Sequence, residues 1–174
     1  MPSWKDGRLS NNTMSNNPWL TFALFVGICF SVAAIGSVWT STSVRTWYVR
    51  LRKPSFNPPS WIFGPVWSAL YFMMATSAWL VWREGGWETP RVALLLFFIQ
   101  LGLNLAWSGL FFGLRRPGLA MVDILALLVA VVATAIEFRS FSQTAFWLMV
   151  PYAIWVSFAS VLNFSIWRLN AGQS

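Results

Sequence analysis

The chain has no histidine and a single cysteine, Cys29. An intramolecular disulfide is therefore excluded, and so are the usual His/Cys sites for zinc or iron. Without histidine there is no Ser–His pair for acyl transfer. No glycine-rich loop opens a helix with a lysine, so a phosphate cradle is unsupported. Charge is scarce as well: 12 Lys and Arg and 5 Asp and Glu make up a tenth of the 174 residues. That is too few polar groups to cover a soluble domain of this size. The basic residues are scattered over short segments, which argues against nucleic-acid binding. The acids stand apart from one another. Conventional hydrolytic or metal catalysis is left without a site.

What the chain has in excess is apolar residues, at 57%. They fall into five blocks, at 19–40, 61–82, 92–114, 118–136 and 144–167, and only the fourth holds a charge, Asp123. Each block is close to the ~20 residues that a helix needs to cross a hydrocarbon core of ~30 Å. In lipid every backbone amide must bond within its own segment, so such blocks become helices. Spanning strands would be shorter and would alternate apolar with polar residues. The sequence therefore predicts an all-α membrane protein, a five-transmembrane-helix bundle over residues 19–170. Residues 1–18, rich in Asn and Ser, read as a polar, disordered extension, and 171–174 as a tail. The first block exceeds a signal-peptide core and lacks a positive charge beside it, so it reads as a retained helix.

Orientation follows from the basic residues. Arg45, Arg50, Arg52, Lys53, Arg115, Arg116 and Arg168 fall on one side of the expected membrane. Lys5, Arg8, Arg83, Arg91 and Arg139 fall on the other, mixed with Asp6, Glu84, Glu88 and Glu137. The excess of positive charge in short loops predicts an outside N-terminus and a cytoplasmic C-terminus. Tryptophan is frequent, at 13 residues. Trp19, Trp39, Trp61, Trp82, Trp147 and Trp167 lie at block ends, where amphipathic rings prefer the headgroup region. Trp67, Trp107 and Trp155 lie well inside their blocks and need another account.

Helical spacing supplies one. It aligns Trp67, Tyr71 and Met74 on the second helix. It aligns Asn104, Trp107, Ser108 and Phe111 on the third, and Trp155, Ala159 and Leu162 on the fifth. Asn104 and Asn163 each need a hydrogen-bond partner in lipid. Helix packing alone would use such stripes. Together they suggest a cavity lined by flat rings, suited to a planar apolar ligand. Pro65 and Pro151 lie within about a turn of Trp67 and Trp155 and can bend those helices. Asp123 is expected to hydrogen-bond a neighbouring helix or, alternatively, to serve as a proton site.

Three segments carry a family likeness. They are "WYVRLRKPSFNPPSWIFGPVWSALYFMM" (Trp47–Met74), "LGLNLAWSGLFFGLRRPGLAMVDI" (Leu101–Ile124) and "PYAIWVSFASVLNFSIWRLN" (Pro151–Asn170). In order and spacing they resemble the TspO/MBR family of tryptophan-rich sensory and translocator proteins. The resemblance implies a receptor or sensor for porphyrins, protoporphyrin IX or haem, linked to tetrapyrrole or stress regulation or to transport. It implies a ligand pocket at Trp67, Tyr71, Asn104, Trp107, Ser108, Trp155, Ala159 and Leu162. No cofactor is required and porphyrin is the ligand. A homodimer in the lipid bilayer is implied too. The sterol-recognition pattern of animal members is broken, because Phe164 stands where its Tyr would be. Haem iron would find no histidine, so metal-free porphyrin is expected to bind at least as well.

The loop from Ser41 to Ser60 is then expected to fold over the cavity as a lid, with Trp47, Lys53, Pro58 and Pro59 in it. Its Arg45, Arg50, Arg52 and Lys53 either attract porphyrin propionates or only set topology. Two alternatives stand beside the receptor. One is light- and oxygen-dependent degradation of protoporphyrin IX, with Trp67 and Trp155 as the catalytic residues. The other is a structural or partner-binding role for the small residues Gly27, Ala33, Ala34, Gly36, Gly102, Ala106 and Gly109.

Overall fold

The computed structural model describes residues 17–171, so residues 1–16 of the expected N-terminal extension and most of the C-terminal tail lie outside the described residues, while Asn17 and Pro18 already belong to the start of the first helix. Five α-helices account for nearly all of it: α1 Pro18–Thr46, α2 Ser60–Gly85, α3 Arg91–Ser108, α4 Pro117–Arg139 and α5 Gln143–Asn170. Among the described residues there is no strand. Helices α1, α3, α4 and α5 are long and apolar enough to cross a membrane. Helix α2 has the length, at 26 residues, but Trp, Tyr, Ser, Gly and Pro dilute its apolar character. The protein is an integral, multi-pass, helical membrane protein.

Local chemistry sets the helix ends. The Asn17 side chain accepts from the amides of Trp19 and Leu20, and Pro18 opens α1. Those amides have no partner inside the helix, and the pre-set φ of proline suits a first turn. Pro117 opens α4 in the same way, and Ser142 caps α5 by accepting from the Ala145 amide at 3.3 Å. Gly86, at φ 65°, ends α2, and a Cβ on Gly85 would collide with the Thr89 side chain. This turn admits only glycine at both positions.

Two ends differ from expectation. α1 continues six residues past Thr40, so the loop begins at Trp47 rather than Ser41. The hydroxyls of Thr40, Ser41, Thr42 and Thr46 bond to carbonyls three or four residues back. A polar run can thereby stay helical, and apolarity measures the span rather than the helix. α3 widens into a π-helical turn at Gly109–Gly113, closed by Leu114 N–H on Gly109 O at 2.7 Å. The Ser43 hydroxyl donates to Phe112 O in that turn and fastens α1 to it. Neither Pro65 nor Pro151 interrupts its helix.

The core forms two clusters. The larger packs Phe25, Met74, Phe97, Phe138, Met149 and Tyr152, and the smaller packs Tyr48, Phe111, Ala120, Leu162 and Ile166 near the α1–α2 loop. Trp19, Trp61, Trp147 and Trp167 are exposed, as an interfacial belt requires. Trp82 is not: it is 7% exposed and meets Trp87 edge-on at 6.2 Å. The turn folds Trp87 back over the end of α2, which removes Trp82 from the interface. Of its two expected roles, Asp123 does not show the bond to a neighbouring helix. It is half-buried, and its Oδ2 has no hydrogen-bond partner among the described residues.

Candidate functional site

A cavity of about 560 Å³ lies between the two core clusters. Trp67, Tyr71, Asn104, Trp107, Ser108, Trp155, Ala159 and Leu162 all line it. The walls come from α1, α2, α3 and α5. The rings meet at mixed angles, edge-to-face for Trp67 with Trp155 and shallower for Trp67 with Tyr71 and Trp107 with Phe111. Trp67 and Trp155 stand 6.5 Å apart at 89°, and Trp67 is 5.7 Å from Tyr71. Trp107 stacks on Phe111 at 5.4 Å. Rings that pack edge-to-face leave their outer faces free for a flat ligand.

The two buried asparagine amides, Asn104 and Asn163, act as ties. Tyr71 donates its hydroxyl hydrogen to Asn104 Oδ1, and Asn104 Nδ2 donates to Tyr152 Oη at 3.0 Å. This joins α2, α3 and α5 below the cavity. On its flank Trp107 Nε1 donates to Asn163 Oδ1 at 3.1 Å, and Asn163 Nδ2 donates to Pro117 O at 2.9 Å. That joins α3, α5 and the start of α4. A buried amide without partners would be costly. Here each one holds an aromatic wall in place.

Trp47, Lys53, Pro58 and Pro59 do not line the cavity. They belong to the structure that closes its loop end. Trp47 packs on Phe111 at 5.8 Å. Lys53 Nζ donates to the carbonyls of Val49 and Leu51 and lies 4.9 Å from the Tyr48 ring centroid. Pro58 O accepts from Asn57 Nδ2, and Pro59 directly precedes α2. Asn170 binds the loop from α5: Arg52 N–H donates to its Oδ1 at 3.1 Å, and its Nδ2 donates to Arg52 O at 3.0 Å. Of the loop-end cations, Arg45 alone lines the cavity.

Tyr48, Phe63, Ser37 and Thr40 line the cavity too, and sequence reasoning missed them. Phe63 is one turn before Trp67. Ser37, Thr40, Val44 and Tyr48 follow helical spacing, which becomes visible once α1 is extended past Thr40. Burial pushes the Tyr48 phenol up to about 12, against the lowering effect of its hydrogen bond to Asn57. It is therefore neutral at neutral pH, and Arg45 supplies the positive charge.

The fold and cavity define a helical membrane protein with an aromatic-lined cavity inside its bundle. A model of the TspO/MBR family matches residues 25–168. A tryptophan-rich protein TspO from Archaeoglobus fulgidus is 45% identical over 81% of this chain and 91% of its own. The human translocator protein is 40% identical over 89% of this chain and 93% of its own. A tryptophan-rich sensory protein from Cereibacter sphaeroides is 35% identical over 89% and 94%. The chain belongs to the TspO/MBR family.

Proposed function

We propose that the protein is a membrane receptor or sensor that binds protoporphyrin IX or a similar planar tetrapyrrole in this cavity. The carrying observation is three tryptophans, Trp67, Trp107 and Trp155, around one space of about 560 Å³. That size falls within the usual ~300–1,000 Å³ of small-molecule sites. Flat apolar rings recognise a flat apolar ligand by stacking. In this reading all five helices span the bilayer, the loop joining α1 to α2 faces the cytoplasm, and the protein is a homodimer. Occupancy is linked to tetrapyrrole or stress regulation or to transport. The test is a dark titration of detergent-solubilised protein with protoporphyrin IX. Tryptophan fluorescence should fall and saturate at one ligand per chain. A linear, unsaturable decrease rejects the proposal.

Arg45 makes the reading more specific. A guanidinium at the cavity edge favours a ligand with a carboxylate at its rim. Arg45→Gln should weaken protoporphyrin IX binding about tenfold, ~1.4 kcal/mol. It should leave the dimethyl ester of the same porphyrin unaffected. Equal loss for acid and ester would assign Arg45 a structural or topological role instead.

A second reading rests on the Trp67–Trp155 pair. A tryptophan against an excited porphyrin is placed to exchange an electron with it in light and oxygen. Replacing both by Phe keeps two rings but raises the oxidation threshold. Protein-dependent bleaching, measured against a protein-free control, should then fall at least tenfold. If it does not fall, degradation is removed from these residues and the receptor reading stands alone.

A further inference from the structure

We infer that the cavity is loaded sideways from the membrane, through a mouth between α1 and α2. This rests on the proposed ligand being dissolved in lipid, and it adds the route by which that ligand arrives. The observation is a rim. Ala34, Ser37 and Ser41 on α1 and Ser60, Gly64 and Ser68 on α2 line the cavity and are themselves exposed on the outer surface. A residue with both properties stands at an opening.

The rim chemistry fits passage through lipid. Phe30 and Arg45 on α1 also line the cavity and are exposed, and they bound the rim at its two ends; between them no rim side chain is larger than a hydroxymethyl group. A Cβ built on Gly64 meets nothing within 4 Å, so space is open beside it. The hydroxyls of Ser37 and Ser41 donate to the carbonyls of Ala34 and Val38. Those donors are satisfied within α1, so they present no unmet hydrogen-bond demand to an apolar traveller. Arg45 lines the loop end of the same wall, where it can receive an acidic group as the apolar body slides in.

The other routes are fastened. Away from the loop, α1 and α2 are joined by aromatic contacts of Trp19 with Trp79 and of Phe22 with Phe72 and Trp79. Trp79 Nε1 also donates to Pro18 O at 2.8 Å. At the loop end the Asn170 clamp on Arg52, the Lys53 bonds to Val49 and Leu51, and the Tyr48–Asn57 hydrogen bond hold the loop down. Between Phe30 and Arg45 the exposed residues that line the cavity are all small.

The test uses a thiol inside the cavity and needs no porphyrin, so its failure is distinct from failure of the titration. Ala159→Cys in a Cys29→Ala background places a single thiol on the α5 wall. The protein is reconstituted in phosphatidylcholine vesicles. A long-chain alkyl maleimide dissolved in the lipid should label it at least tenfold faster than a charged, water-soluble maleimide. Gly64→Phe should slow the lipid-borne reaction at least tenfold, and Ser68→Leu should slow it too. Gly64→Ala should leave the rate unchanged and serves as the folding control. Unchanged labelling with both blocking variants overturns the inference. Faster labelling from water than from lipid overturns it as well, and acceleration of that aqueous reaction by Asn170→Ala would assign the route to the loop. A thiol that reacts with neither reagent also overturns it.

Discussion

Ala159→Phe is expected to abolish porphyrin binding while the protein stays folded. Ala159 lines the cavity on α5, one turn after Trp155 and one turn before Asn163. Its methyl group borders open space, so a phenyl ring would occupy the room that a flat ligand needs. The loss should be at least about 100-fold in affinity, ~2.7 kcal/mol. Stability should be unchanged or slightly raised, because a ring placed in a void gains contacts and strains no neighbour. Helix content by circular dichroism and the melting profile check the fold, and the dark titration checks binding. Retained affinity in a folded variant would place the ligand outside this cavity.

The readability of the site follows from residue type. Tryptophans and asparagines inside apolar blocks are costly in lipid unless something uses them, so Trp67, Asn104, Trp107 and Trp155 were visible without coordinates. Helical spacing then gathered Tyr71, Ala159 and Leu162 beside them. Apart from Arg45, the wall supplied by α1 was not visible, because most of its residues are small or hydroxylic and carry no chemical signature. Gly36 lines the cavity and packs so close to Ser108 that an added Cβ would lie 3.3 Å from its hydroxyl. Composition alone cannot separate that packing role from a site.

Helix ends show the same limit. The apolar blocks located the five helices and their order. They stopped α1 at Thr40, because hydropathy does not register hydroxyls that bond back to their own helix. The π-helical turn at Gly109–Gly113 could not be read either. Trp39 packs against it at Gly109 and Gly113, where added Cβ atoms would come into ordinary contact with the indole at 3.5 and 3.4 Å. That contact joins residues some 70 positions apart in the chain. The fate of Trp82 likewise turns on where the α2–α3 turn sends Trp87.

Asn104→Leu is expected to loosen the bundle and the site together. Asn104 is 1% exposed and is the shared partner of Tyr71 and Tyr152. Leucine nearly matches its size and removes both bonds, leaving two tyrosine hydroxyls without that partner. Orphaned buried groups cost ~1–3 kcal/mol each, reduced in a bilayer because the unfolded helices also find partners, so about 2–4 kcal/mol is expected. The apparent melting temperature should fall by roughly 5–15 °C. A double-mutant cycle separates the amide's tie from general disruption. Tyr71→Phe should destabilise the wild type more than it destabilises the Asn104→Leu protein, with a coupling of about 0.6–1.7 kcal/mol. Binding should weaken in parallel, since the same hydrogen bond holds Tyr71 against Trp67 at 5.7 Å. Additive effects in the cycle would mean that the Tyr71–Asn104 bond does not fix the α2 wall. The orientation of Trp67 would then rest on its ring contacts with Tyr152 and Trp155 alone.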